Sequence, residues 1–132
     1  MGAEIFEYVG PGKNAREAFD NAVSEALYWH GHGGYTGTIA EKSGFQLFEC
    51  PEDVTAEQLM HWADGNTLTG VPEKYHNLVT NMQNVFDDKW GPAVCIQLKG
   101  KELADARAEY CKGHNIKKTT MNFFLFGGWA ST

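Results

Sequence analysis

The sequence predicts an α+β domain, two-layer, in which a mixed, mostly antiparallel sheet of about five strands carries helices packed on one face. Three observations lead there. Stretches with the period of a buried helical stripe alternate with short β-branched or aromatic runs, turn residues separate them, and no internal repeat or low-complexity linker interrupts the order. At 132 residues, 42% apolar and 21% charged, the chain has the size and balance of a single domain spanning 1–132, able to bury roughly two-thirds of its unfolded surface.

Ala3 to Val9 comes close to strand alternation, and Gly10-Pro11-Gly12 is expected to break it. Asn14, with Glu17 three residues on, is a helix N-cap; Ala15, Ala18, Phe19, Ala22, Val23, Ala26 and Leu27 then recur at the spacing of one buried stripe. The glycines from Gly31 onward end that helix near His30. Tyr35 to Lys42 and Phe45 to Cys50 read as antiparallel strands joined at Ser43-Gly44.

Val54-Thr55 with Gln58 and Leu59 combines a cap, a capping-box glutamine and a Val/Leu staple, predicting a short helix to about Ala63. A longer helix is expected from Pro72, with Tyr75, Leu78, Val79, Met82, Val85 and Phe86 on one face, ending before Gly91-Pro92. Ala93 to Leu98 and Thr119 to Phe126 are apolar enough for well-covered strands. Between them Lys101 to Cys111 has helical composition, with a thin apolar face at Leu103, Ala106, Arg107 and Tyr110.

Charge and cysteine usage narrow the function classes. A net charge of −6 is the wrong sign for extended contact with nucleic-acid backbones, and no apolar run approaches the ~18 residues of a membrane span. Cys50, Cys95 and Cys111 are an odd set without Cys-x-x-Cys spacing, which argues for reduced thiols over disulfides or a structural zinc. The N-terminus lacks the basic start of a secretion signal, so a cytoplasmic location is expected. Lys112, Lys117 and Lys118 flank His114, a pattern that a solvated loop explains better than an anion site.

The candidate binding surface is the glycine-rich turn His30-Gly-His-Gly-Gly-Tyr-Thr-Gly-Thr38. His30 and His32 alternate with glycines past a helix C-terminus, but no spacing links them to further ligands, so no metal is expected. Tyr35, Thr36 and Thr38 offer an aromatic face and two hydroxyls. The turn runs from a helix C-terminus into a predicted strand, the reverse of phosphate-cradling loops, and the helix dipole there opposes an anion. A tight helix-to-strand connection is the competing reading. Lys89-Trp90 and Trp129 with Ser131 lie in two further glycine-aromatic segments, where the tryptophans can be ligand platforms or can close core edges.

Three segments together, Gly31-His-Gly-Gly-Tyr-Thr-Gly-Thr-Ile-Ala-Glu-Lys42, Lys89-Trp-Gly-Pro-Ala93 and Phe126-Gly-Gly-Trp-Ala-Ser131, resemble a group of small proteins encoded by tailed phages and prophages. The resemblance implies a phage setting, with the host cytoplasm as location, and transfers no catalytic residue. In that group the last motif has an aromatic-Gly-Trp-Ala-Ser form, so Gly128 is a departure that shifts Trp129.

The leading expectation is a non-enzymatic, phage-type binding protein that captures a small nucleotide-like ligand, without cofactor, at His30, His32, Tyr35, Thr36, Thr38, Lys89, Trp90, Trp129 and Ser131, to counter host defence signalling. One alternative is an inhibitor of a host protein acting through an acidic surface that includes Glu52, Asp53, Asp87 and Asp88. Another is a nucleotide-acting hydrolase or transferase with His30 or His32 as general base and Glu41 or Lys42 assisting. Four tryptophans and eight phenylalanines leave room for a homo-oligomer under each.

Overall fold

The computed structural model describes residues 2–132. In chain order it contains strand β1 (Ala3–Gly12), helix α1 (Ala15–His30), a 3-10 turn (Ile39–Glu41), strand β2 (Phe45–Phe48), helix α2 (Ala56–Asp64), a second 3-10 turn (Glu73–Tyr75), helix α3 (His76–Asp87), strand β3 (Ala93–Gln97), helix α4 (Gly100–His114) and strand β4 (Asn122–Ser131). The sheet order is β1-β4-β3-β2, with β4 antiparallel to both β1 and β3, and β2 parallel to β3. The α+β class with a mixed, mostly antiparallel sheet is as the sequence predicts, with four strands where about five were expected.

Strand alternation explains how this sheet builds its core. Phe124 and Phe126 of β4 point to one side with Ala93 and Cys95 of β3, and meet Ala15, Ala18, Phe19 and Ala22 of α1. Phe123 and Leu125 point to the other side with Val94 and Ile96, and meet Leu59 and Met60 of α2 and Val79, Met82 and Phe86 of α3. The helices therefore occupy both faces, where a single covered face was expected. Two continuous apolar strands need cover on both sides, and β3 and β4 are such strands.

Gly127 of β4 lies under α2, where a Cβ would come within 2.7 Å of Met60 Sδ. The absent side chain is what lets the buried thioether rest on the sheet. Burial pushes the Cys95 thiol in the neighbouring strand up to about 12, so it is packing material and no nucleophile.

Helix α1 begins as its sequence indicates: Asn14 Oδ1 accepts the Glu17 amide at 2.9 Å, and Glu17 accepts the Lys13 amide. Helix α2 is capped likewise by Thr55, whose hydroxyl accepts the Gln58 amide at 3.0 Å. From Pro72 the chain makes the 3-10 turn first, and α3 proper starts at His76. No helix among the described residues is long and apolar enough to cross a membrane.

The expected hairpin is not formed. Residues 35–42 make a turn and the 3-10 segment, and β2 runs parallel to β3. Local hydrogen bonds win over a strand ladder here: Thr38 Oγ1 accepts the Ala40 amide at 3.2 Å, and the Lys42 amide returns to the Ile39 carbonyl at 3.0 Å. Two strands are longer than expected. β1 continues through Pro11 because it is an edge strand, where a missing N–H is tolerated, and β4 continues through Gly127 and Gly128 to Ser131.

Candidate functional site

The three glycine-aromatic segments and their immediate neighbours meet at one end of the sheet, through hydrogen bonds to backbone carbonyls. The Gly37 amide donates to the Ser131 carbonyl at 2.8 Å, the Ala93 amide to the Gly44 carbonyl at 2.9 Å, and Lys42 Nζ to the Asp88 carbonyl at 3.0 Å. Gly37 is required at its contact: its φ is 70°, and a Cβ would come within 2.8 Å of Thr132 Cγ2 and 3.0 Å of a Glu4 carboxylate oxygen. The turn is thus stitched to the last residues of β4 and, by Lys42, to the segment that leads into β3.

Inside the turn, Glu41 is the organising group. Its carboxylate accepts the Thr36 amide at 3.0 Å and the Thr36 hydroxyl at 2.8 Å, and that hydroxyl lies 2.7 Å from Thr38 Oγ1. Burial alone would raise the Glu41 pKa, but the hydrogen bonds from Thr36 and from the Tyr35 backbone outweigh it and hold the group below the usual carboxylate range. Thr36 and Thr38 spend their hydroxyls on this internal network. Lys42 is buried, and desolvation lowers its pKa more than the nearby Asp88 charge restores it.

The side chains expected to form one site divide between places. Ser131 is buried. Trp129 is half-buried against the α2/α3 core, whereas Ile39 of the turn packs into the α1 core, so the two lie on opposite faces of the sheet. Strand alternation sets this side: Trp129 falls with Phe123 and Leu125, and a tryptophan one position earlier would face α1. Trp90 is 65% exposed, carries Lys89 Nζ 5.2 Å from its ring centroid, and has its amide bound by Asp88 at 3.0 Å. His30, His32 and Tyr35 are exposed around the turn itself.

Two aromatic residues missed by the sequence reading complete this exposed rim. Helix α1 is buried as far as Ala22, half-buried at Ala26 and Leu27, and exposed from Tyr28 to His30. Tyr28 and Trp29 are 80% and 70% exposed and stack edge to face at 5.3 Å between ring centroids. The available signal was a pair of bulky aromatics in the last turn of a helix, directly before glycines. Trp29, His30, Thr38 and Ile39 border a small cavity of about 190 Å³ against Phe6 and Tyr8 of β1.

Tyr35 has a φ of 58°, in the left-handed region, and its side chain is 58% exposed. A non-glycine residue pays roughly 1 kcal/mol for that conformation. The Tyr35 backbone takes part in the Glu41 network, so the turn holds this conformation while the side chain stands in solvent. Among the described residues no three His, Cys, Asp or Glu side chains group so as to hold a metal ion.

The acids expected to form one interaction surface are also split. Glu52 and Asp53 follow β2, Asp87 and Asp88 precede β3, and these strands run parallel, so the two pairs lie toward opposite ends of the sheet. Asp53 is occupied by Lys74 at 3.2 Å and by the Tyr75 hydroxyl. Lys112, Lys117, Lys118 and His114 are all exposed. Comparison with protein-family models, curated proteins and solved structures finds no match to this chain.

Proposed function

We propose that the chain is a non-enzymatic binding protein that captures a small nucleotide-like ligand on the exposed aromatic rim of Trp29, His30 and Tyr35. The observation that carries this reading is Tyr35 itself. Backbone strain at an exposed aromatic, held by a turn whose own polar groups are already satisfied, is characteristic of residues kept for contact with something else. Flat side chains at the mouth of a cleft suit a base, which can stack on any of them.

The electrostatics select the orientation. The rim lies at the C-terminal, negative end of α1, and Glu25 lines the same cavity, so the ligand's base faces the protein and its phosphates face solvent. Of the groups named by the enzyme reading, the two assisting ones are engaged in the fold, Glu41 with Thr36 and Lys42 with the Asp88 carbonyl, which leaves His30 and His32 without an acid or base partner from that pair. The resemblance to phage-encoded proteins supports a role in sequestering a host signalling nucleotide, in the host cytoplasm.

Native mass spectrometry after incubation with a panel of linear and cyclic nucleotides tests this. The expected result is one intact ligand per site. Recovery of a converted product would replace binding by catalysis, and the absence of any complex across the panel would reject the reading.

A further inference from the structure

A second surface lies on the far side of the sheet from the aromatic rim. Strand β1 is a ten-residue edge strand that pairs with β4 alone. Phe6 and Tyr8 pack toward α1, so Ile5, Glu7 and Val9 point the other way, in line with their cross-strand partners Trp129, Gly127 and Leu125. No helix covers this part: Ile5 is 42% and Val9 46% exposed.

Two adjoining hollows of about 390 and 500 Å³ run along β1 on this side and share Glu7 and Glu57 as walls. Val9, Leu98 and Leu125 make an apolar floor, while Asp64, Asp105 and Glu109 extend the acidic walls, and no lysine or arginine lines either hollow. Asp105 is paired with Lys101 at 2.9 Å, and Glu102, which also borders the groove, is bound to α2 amides. Glu7, Glu57, Asp64 and Glu109 form none of the salt bridges found among the described residues. Glu7 shows the local field: burial first, then the charges of Asp64 and Glu57, raise its pKa despite a smaller opposing effect of His61.

We propose that the free edge of β1, with the carboxylate-walled, apolar-floored groove beside it, docks an extended lysine- or arginine-bearing segment of a partner protein as a fifth strand. The edge supplies unpaired backbone donors and acceptors, the floor supplies apolar contact, and the walls select the sign of the incoming side chains. In such a segment alternate residues fall on the groove side about 7 Å apart, which lets successive basic side chains reach successive acids. A second copy of this chain is a poor occupant. Antiparallel pairing of β1 with itself about Glu7, near its centre, would set the two Glu7 carboxylates opposite each other, and Pro11 withholds an amide.

The test uses the full chain and three synthetic nine-residue peptides: alternating lysine and valine, the glutamate counterpart, and the lysine peptide N-methylated at every residue, which removes the amide donors of both its edges. Fluorescence anisotropy should show binding of the lysine peptide alone, weakened about tenfold or more between 50 and 300 mM salt. The Glu7→Lys/Glu109→Lys variant should lose at least tenfold in affinity. Glu49→Lys/Glu73→Lys, at two exposed positions outside both hollows and with the same change in net charge, should lose less than twofold. Circular dichroism melts verify that both variants are folded, and Glu7→Gln/Glu109→Gln provides a milder pair expected to fall between them. Equal binding of the N-methylated peptide would overturn strand addition, equal loss in the two lysine variants would overturn the site, and no binding of the lysine peptide would overturn the proposal as a whole.

Discussion

The Ala56 amide donates a 2.6 Å hydrogen bond to the Glu102 carboxylate, whose other oxygen takes the Glu57 amide at 3.1 Å. Glu102 stands in the first turn of α4 yet serves the first turn of α2, joining the two helix N-termini through residues 46 apart in sequence. A negative charge at this position satisfies amides that have no partner within the helix and complements the α2 dipole.

Glu102→Ala should therefore lower stability by about 1–2 kcal/mol, or roughly 3–6 °C in melting temperature for a domain of this size. Glu102→Gln, which keeps an acceptor and loses the charge, should cost less. A thermal melt of the two variants beside the native chain checks the order.

Gly127→Ala places a methyl group against Met60, which is fully buried, and should destabilise by about 1–3 kcal/mol. Adding Met60→Ala to it should cost less than the sum of the two single changes, because the shortened side chain makes room for the new methyl. Gly33→Ala is the contrast: its Cβ would meet nothing within 4 Å, and its effect should stay within about 0.5 kcal/mol. Denaturant titration of the four variants gives these values.

The Glu41 network makes the turn pH-dependent. Because the folded-state pKa of Glu41 lies below its ordinary value, its contribution to stability is fully present above the ordinary carboxylate range and is lost as pH falls through the folded value. The protection of the Thr36 amide, its exchange rate taken relative to the intrinsic rate at the same pH, should fall in acid, and Glu41→Gln should lower it at neutral pH by roughly fivefold, about 1 kcal/mol of local opening, the exposure of the group keeping the effect small. Exchange rates independent of Glu41 would contradict the network.

The helices were legible because each carries its own start signal: Asn14 with Glu17, and Thr55 with Gln58. The parallel pairing of β2 was not, because it depends on contacts far away in sequence, such as Ala93 with Gly44, while Tyr35 to Lys42 has the composition of a strand and folds locally through Thr38 and Glu41. Continuous apolar runs in β3 and β4 did imply cover on both sides, but the single stripe of α1 gave no indication of which side it would take. The turn was identified as a surface, and His30, His32 and Tyr35 are exposed on it. The side that Trp129 takes was not legible, because one glycine more or less in a strand decides which face a side chain enters. The β1 groove was invisible because Glu7, Glu57 and Glu109 belong to three separate elements, and only the fold brings them alongside one edge.

The most direct measurement on the proposed function compares Tyr35→Gly with the native chain in a thermal-shift assay against the nucleotide panel. Glycine relieves the left-handed strain but gains freedom in the unfolded state, so the variant without ligand should melt within about 1 kcal/mol of the native chain. The nucleotide giving the largest shift with the native chain should give at most a third of that shift with the variant. Equal shifts in the two proteins, or no shift from any nucleotide with the native chain, would contradict the account.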